Sequence, residues 1–184
     1  MRHKVYTKEQ ILKAARKLVA ESGFEHFTAR NIAKKMGGST QPIYMHFKSM
    51  NELKRTLIEQ LLDEIGIDVP PTNKDEKATL AEWTRYIDFA QTNPQIFKAL
   101  FFENSGSGTE LYQQSMAYFL KNHEILVPEH GDLSEEAIGH LHDRMWIAST
   151  GMALLKKSGI IHPSLEQEKK LLEQFVALLG VPKK

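Results

Sequence analysis

Apolar residues recur at helical spacing along almost the whole chain, and this periodicity constrains the fold more than any other feature. No stretch alternates between apolar and polar residues for long enough to predict a strand. Thr7, Ser49 and Ser164 each precede a Glu or Gln by three residues, the pattern of a capping box that satisfies first-turn N–H groups. The sequence therefore predicts an all-α fold.

Composition excludes several classes of protein. The 184 residues contain no cysteine, which removes disulfides, thiolate metal sites and cysteine nucleophiles. No apolar run reaches the roughly 18 residues of a membrane span, and the first residues lack the apolar core of a signal peptide. We therefore expect a cytoplasmic protein with no membrane partner.

Charge is divided unevenly along the chain. Residues 1–55 hold 12 Lys and Arg against 4 Asp and Glu, although the whole chain carries a formal net charge of only +1. The remaining residues are therefore acidic. A basic N-terminal region predicts a polyanionic partner for that region alone.

Two short helices around Gly37-Gly38 predict a helix-turn-helix. The first begins at Thr28; the second has Ser39 as its predicted cap and runs to about Phe47, with Pro42 in its first turn. We expect a three-helix N-terminal domain at residues 1–50 and a connecting helix at 51–66. A proline-containing junction at 68–73 then leads into a second helical domain at 67–184.

The second of these short helices has the residues that DNA recognition requires. Ile43 and Phe47 can anchor it to a core, which leaves its polar side chains outside. Thr40 and Gln41 suit hydrogen bonds to base edges, and Pro42 suits a thymine methyl group. Tyr44, His46 and Lys48 suit phosphates. The alternative is a turn that merely joins two helices, with polar residues facing water.

The chain resembles the DNA-binding domain of tetracycline-repressor-family transcriptional regulators at residues 28–37, at residues 39–48 (STQPIYMHFK) and at Glu52-Leu53. The resemblance implies a dimeric regulator of double-stranded DNA with an inverted-repeat operator and an effector domain. Two departures stand out: Gly38 replaces a usual apolar residue, which predicts a looser turn, and Pro42 replaces a common Ser or Thr. The predicted DNA-binding residues are Thr28, Arg30, Ser39, Thr40, Gln41, Pro42, Tyr44, His46 and Lys48.

The second domain is rich in aromatic residues, which favours a site for a small apolar or aromatic effector between its helices. Solid core is the alternative for each residue, because aromatic residues at helical spacing are usually packed. The predicted effector residues are Trp83, Tyr86, Phe89, Phe101, Tyr112, Met116, Phe119 and Trp146.

A heptad-like spacing over residues 138–155 predicts helix-to-helix packing. We interpret it as part of a four-helix interface between two copies of the chain; burial inside one chain is the alternative. The predicted interface residues are Leu141, Met145, Ala148, Met152, Leu172, Phe175 and Leu179.

The sequence contains no pattern that predicts catalysis, a cofactor or a metal site. His140 and His142 lie about 200° apart around a helix and cannot bind one metal ion. Asp143 and Glu136 are interpreted as a solvated face, with Glu136 beside His140. The leading hypothesis is a non-enzymatic repressor released from DNA by an effector. An effector-independent DNA-binding protein and a helical protein-interaction module remain open.

Overall fold

The computed structural model describes residues 6–66, 77–103, 108–126 and 133–178, and these residues form nine α-helices and one 3-10 helix with no strand. The predicted all-α class is confirmed. The 3-10 helix spans Phe24–His26. The α-helices are α1 Lys8–Ser22, α2 Ala29–Met36, α3 Gln41–His46, α4 Met50–Ile65, α5 Lys77–Thr92, α6 Pro94–Phe101, α7 Gly108–Leu126, α8 Glu135–Lys157 and α9 Leu165–Leu178.

The chain forms two compact units. The first contains Met1–Leu62 and Gln95–Thr109, and the second contains Asp63–Pro94 and Glu110–Lys184. The segment 95–109, which the sequence analysis assigned to the second domain, thus packs with the first unit. The predicted junction at 68–73 lies outside the described residues.

Helix starts follow the capping patterns in the sequence. The Thr7 hydroxyl accepts a hydrogen bond from the Gln10 backbone N–H at 3.3 Å, and the Gln10 side chain accepts one from the Thr7 N–H at 3.0 Å. The hydroxyls of Ser49 and Ser164 likewise accept the backbone N–H three residues later. These local bonds fix where α1, α4 and α9 begin.

The first unit has an aliphatic core to which α6 is linked by a long-range hydrogen bond. Ile11, Ile32 and Leu53 are fully buried. Beyond α6, the Glu103 carboxylate accepts a hydrogen bond from the backbone N–H of Phe24 at 3.1 Å. This bond satisfies a first-turn N–H of the 3-10 helix and joins residues 79 positions apart.

The second unit is held together by polar contacts as well as apolar packing. The Tyr86 hydroxyl on α5 lies 2.9 Å from the Thr150 hydroxyl on α8, and Gln91 donates to the Ala153 carbonyl at 2.9 Å. Lys156 on α8 forms an ion pair with the buried carboxylate of Glu168 on α9. These bonds tie α5 and α9 to α8.

None of the helices in the described ranges is long and apolar enough to cross a membrane.

Candidate functional site

The helix-turn-helix begins with α2, whose start and end are both capped as its sequence predicts. The exposed Thr28 hydroxyl accepts a hydrogen bond from the Asn31 backbone N–H at 3.2 Å. Gly37 ends the helix in the left-handed conformation, with φ 70° and ψ 37°. Arg30 is exposed in the first turn of α2. Thr28 and Arg30 are thus both accessible near the helix start, as a contact to DNA backbone requires.

The turn between α2 and α3 is closed by Tyr6, which the sequence analysis did not identify. A Cβ atom added at Gly38 would lie 2.9 Å from the Tyr6 ring, so the ring fills the space beside this glycine. The Tyr6 hydroxyl also donates to the Met36 carbonyl at 2.7 Å. The expectation of a loosened turn is corrected, because an aromatic ring from outside the motif supplies the missing apolar contact.

The helix α3, the predicted recognition helix, is short and anchored on one side. Ile43 is 0% exposed and Phe47, directly after the helix, is 2% exposed. Thr40 is the N-cap residue, and its side chain makes no capping hydrogen bond. The prediction that Ser39 caps this helix is therefore wrong by one residue. Pro42 fits because it lies in the first turn, where a missing N–H breaks no helical bond.

The predicted DNA-contacting side chains lie on the accessible side of α3 and its flanks. Ser39, Gln41, Tyr44 and Lys48 are exposed. Thr40 and Pro42 are half-buried. These six residues surround the buried anchors Ile43 and Phe47, so one surface combines groups suited to bases with groups suited to phosphates.

His46 has a structural contact in addition to its predicted one. Its Nε2 atom lies 2.9 Å from the Tyr6 carbonyl oxygen. A carbonyl only accepts, so Nε2 must donate and the ring carries its proton there. His46 therefore holds the chain before α1 against the end of α3, although its side chain remains exposed.

Met45 also lies on this surface, and the sequence analysis assigned no role to it. It is 75% exposed, the largest exposed fraction among the large apolar side chains of the described residues. Its position four residues after Gln41 places both on one side of α3. That spacing is the feature that would have identified it from the sequence.

The basic residues of the first unit differ in their pairing. Lys35 forms an ion pair with Glu21, and the hydrogen bond from Lys35 lowers the pKa of that carboxyl. Within the described residues, the ion pairs include none for Arg30 or Lys48. Both side chains are exposed, as a phosphate contact requires.

In the second unit, five of the predicted effector residues belong to one aromatic cluster, which Phe119 joins through the ring of His142. Tyr86 contacts Trp146 with ring centroids 5.6 Å apart, and Tyr112 contacts Trp146 at 5.8 Å. Trp83 joins through Tyr86 at 6.3 Å. Tyr112 and Trp146 are half-buried, whereas Tyr86 is 2% exposed. The cluster therefore extends from the core to the surface.

His142 lies at the centre of this cluster, and the sequence analysis did not predict its burial. It is 0% exposed and its ring contacts Tyr112, Phe119 and Trp146 at centroid distances of 5.3 to 5.6 Å. Its Nε2 atom lies 2.9 Å from the Ser115 hydroxyl. Burial lowers the pKa of His142, and the Asp143 carboxylate, 3.7 Å from Nδ1, opposes this only in part.

Asp143 is not simply a solvated residue, as the sequence analysis supposed. It is half-buried and accepts a hydrogen bond from the Tyr112 hydroxyl. This bond raises the pKa of Tyr112 to about 12, so the hydroxyl stays protonated and remains a donor. The interpretation of Glu136 agrees with the structure: its carboxylate lies 3.8 Å from Nε2 of the exposed His140.

Some buried polar atoms beside the cluster lack a partner. Nε1 of Trp83, Nδ1 of His142 and Oγ of Ser149 have no hydrogen bond in the structure. Buried donors and acceptors are normally satisfied, so these atoms offer hydrogen bonds to a bound molecule or water. They are the polar groups of the aromatic cluster that a ligand could use.

The other predicted effector residues have different surroundings. Phe89 is 4% exposed and Met116 is half-buried in the second unit. Phe101 belongs to the first unit, where its ring packs against Phe97 at 4.7 Å.

The predicted dimer-interface residues differ in their exposure within a single chain. Leu141, Met145, Met152 and Leu172 are at most 6% exposed within a single chain, so their surfaces are already covered. Ala148 is half-buried, Phe175 is 43% exposed, and Leu179 lies outside the described residues. Most of these residues therefore pack inside one chain.

The accessible apolar surface lies on the other side of α8. Ile147 is 70% and Leu154 is 45% exposed, and their spacing of seven residues puts them on one face with Gly151 between them. On α9, Leu171 and Phe175 are 37% and 43% exposed. We call these five residues the exposed apolar face.

Comparison with known proteins identifies the N-terminal region. Residues 11–57 match the family model of bacterial regulatory proteins, tetR family. YfiR, an uncharacterized helix-turn-helix-type transcriptional regulator of Bacillus subtilis (strain 168), is 30% identical over 86 residues, which is 47% of this chain and 42% of that protein. The match therefore spans less than half of that relative's length.

Solved structures extend the similarity over the rest of the fold. A TetR-like transcriptional regulator from Rhodococcus sp. RHA1 has a TM-score of 0.66 at 17% identity, covering 94% of this chain and 96% of that chain. The flavonoid-responsive regulator FrrA has a TM-score of 0.65 at 18% identity, covering 94% of each chain. Residues 11–57 thus match the family model of bacterial regulatory proteins, tetR family, and the fold of the described residues is similar to that of tetR-like regulators.

Proposed function

We propose that the protein is a sequence-specific DNA-binding transcriptional regulator, acting as a repressor in the cytoplasm. The observation that carries this proposal is the surface of α3, where Gln41, Tyr44 and Lys48 are exposed around the buried anchors Ile43 and Phe47. A recognition helix held in this way can enter the major groove with its polar residues against base edges. The regulator acts by binding alone and needs no catalytic group.

Selection of random-sequence duplexes by the purified protein tests this function. At about 150 mM salt, non-specific phosphate binding is weak, so recovered sequences report base recognition. We expect an inverted repeat whose half-sites are separated by about one helical turn or a multiple of it. Recovery of no motif would overturn the proposal and favour the protein-interaction module.

We infer that the functional form is a homodimer that uses the exposed apolar face. Ile147 and Leu154 on α8 and Phe175 on α9 expose apolar surface that a second copy would remove from water. Gly151 between them has no atom within 4 Å of an added Cβ, which leaves room for close approach of another helix. A two-fold interface of this kind presents two recognition helices to two half-sites.

We infer that the aromatic cluster around His142 binds the effector. A small planar aromatic molecule fits the chemistry, because the cluster combines ring faces with unpartnered polar atoms of Trp83, His142 and Ser149. The name of the similar structure FrrA, a flavonoid-responsive regulator, makes flavonoids the first compounds to test. An effector that prefers the form with low DNA affinity would release the operator by shifting that population.

Intrinsic fluorescence tests the effector site directly. The chain has two tryptophans, Trp83 and Trp146, and both belong to the cluster. A bound flavonoid should quench this emission and, in the same concentration range, release the selected duplex. If the Trp146→Phe variant is quenched with the same flavonoid affinity as the wild type, the proposed effector site is wrong. DNA binding indifferent to every compound would favour the effector-independent alternative.

A further inference from the structure

Met45 is the starting point of a further inference, which rests on the proposed DNA-binding function. An apolar side chain that is 75% exposed leaves most of its surface in water, where it contributes little to folding. By contrast, the anchoring residues Ile43 and Phe47 are buried. Met45 is therefore an apolar group presented on the recognition surface.

The geometry of α3 places Met45 next to the predicted base-contacting residue. Gln41 and Met45 are separated by four residues, which is about 40° around an α-helix, so they lie one above the other on the same side. Ile43 is two residues before Met45, on the opposite side, and is 0% exposed. A base pair next to the one that Gln41 contacts is thus the nearest target for Met45.

The chemistry of the major groove determines what an apolar side chain can recognise there. The C5-methyl group of thymine is the apolar group that distinguishes base pairs in this groove. Methionine is unbranched and flexible, so its terminal methyl and thioether adapt to a small apolar partner. We propose that Met45 contacts a thymine methyl group in each half-site and specifies thymine at the base pair adjacent to the Gln41 contact.

A contact to sugar or phosphate is the competing role for an exposed residue at this position. Such a contact would strengthen binding to every duplex alike, because the backbone is the same for all sequences. A thymine-specific contact instead predicts discrimination at one base pair. The two roles therefore differ in which duplexes lose affinity when Met45 is changed.

The experiment combines a protein change with removal of a single methyl group from DNA. The wild-type protein and the variants Met45→Gln and Gln41→Ala are each used to select duplexes from one random library. Each thymine of the wild-type motif is then replaced by deoxyuridine, which lacks only the C5-methyl group. We expect one replacement per half-site, distinct from any thymine that Pro42 contacts, to weaken wild-type binding about three- to tenfold, as expected for loss of a buried methyl group.

The same replacement should leave the DNA affinity of Met45→Gln unchanged, because that variant lacks the apolar side chain that contacts the thymine methyl group. Met50→Gln, the same change at the first residue of α4, is the matched control and should keep the wild-type discrimination. Equal unfolding midpoints of all variants exclude a folding defect.

Each remaining outcome overturns the inference. If Met45→Gln and wild type select the same motif with the same sensitivity to deoxyuridine, thymine recognition by Met45 is wrong while the DNA-binding function stands. A uniform loss of affinity across all duplexes assigns Met45 to the backbone instead. If the wild-type protein selects no motif, the proposed function fails and this inference fails with it.

Discussion

At the scale of single residues, Gly23 has the most restrictive surroundings in the first unit. Its φ of 69° and ψ of −175° fall in a region that essentially only glycine adopts. A Cβ atom at this position would also collide with the Glu103 carboxylate, which holds the N–H of Phe24. A side chain at position 23 would therefore both strain the backbone and displace the acceptor of the Phe24 hydrogen bond.

We expect Gly23→Ala to lower the free energy of unfolding by about 1–3 kcal/mol because of this strain. Urea unfolding followed by circular dichroism measures the change. Gly139→Ala is the matched control: Gly139 lies inside α8 and an added Cβ would meet only Met116 at an ordinary 3.9 Å. That variant should be equally or slightly more stable, since alanine favours helices. If the two substitutions change the free energy of unfolding equally, the strain assigned to position 23 is wrong.

The buried His142 makes stability depend on pH. Its pKa is lower in the folded protein than in the unfolded chain, so the unfolded chain binds the proton more readily. The contribution of the neutral ring is present above the unfolded pKa of about 6.5 and is lost as the pH falls below it. Each pH unit below that value should remove up to about 1.4 kcal/mol.

Urea unfolding at pH 7.5 and pH 5.5 measures this loss. His142→Gln should reduce the difference in stability between the two pH values, because the glutamine amide does not titrate. His140→Gln is the matched control, since it makes the same change at an exposed position of the same helix. If His142→Gln does not change the pH dependence, the loss of stability at low pH comes from other titratable groups.

The residues of the candidate sites were predictable to different degrees. Gln41, Tyr44 and Lys48 follow from helical spacing around Ile43 and Phe47, which is local information. The contact of Tyr6 with Gly38 joins residues 32 positions apart, and no local pattern specifies it. His142 resembles a surface residue in the sequence, because its burial depends on rings from α7 that periodicity in α8 does not identify.

At the scale of secondary-structure elements, α3 and its flanks are expected to separate affinity from specificity. Tyr44→Phe combined with Lys48→Ala should weaken binding similarly on all duplexes and reduce the slope of log affinity against log salt, because phosphate contacts are lost. Gln41→Ala should mainly relax the base preference. Filter binding at several salt concentrations, on specific and random duplexes, measures both effects. An unchanged salt slope in the first variant would contradict the phosphate contacts, and equal losses of Gln41→Ala on both duplexes would contradict base recognition.

The helices themselves were largely predictable because their boundaries are set by neighbouring residues. Capping at Thr7, Thr28 and Ser49 agrees with the sequence, since each hydroxyl accepts an N–H only three residues away. The start of α3 was misplaced by one residue because Ser39 and Thr40 are both acceptable caps. The packing of α6 with the first unit was not predictable, since an amphipathic pattern indicates burial without identifying the partner.

At the scale of the whole molecule, the exposed apolar face is expected to control assembly. Ile147→Asp places a charge where a second copy would bury it, so we expect dimers to dissociate to monomers and DNA affinity to fall steeply. Sedimentation equilibrium measures the mass. Leu165→Asp is the matched control, because Leu165 is 53% exposed on α9 but on another side than Leu171 and Phe175. Two outcomes would contradict this interface. In one, the Ile147→Asp variant remains dimeric; in the other, Leu165→Asp dissociates the dimer to the same extent.

The first unit is built from two separate stretches of chain, residues 1–62 and 95–109. A chimaera that fuses residues 1–62 to the body of another regulator would lack α6, together with the Glu103 carboxylate that satisfies the Phe24 N–H. A single crossover between two genes would likewise separate these stretches. The helix-turn-helix unit of this protein is therefore not an exchangeable cassette, and transplanting it requires that both segments be exchanged together.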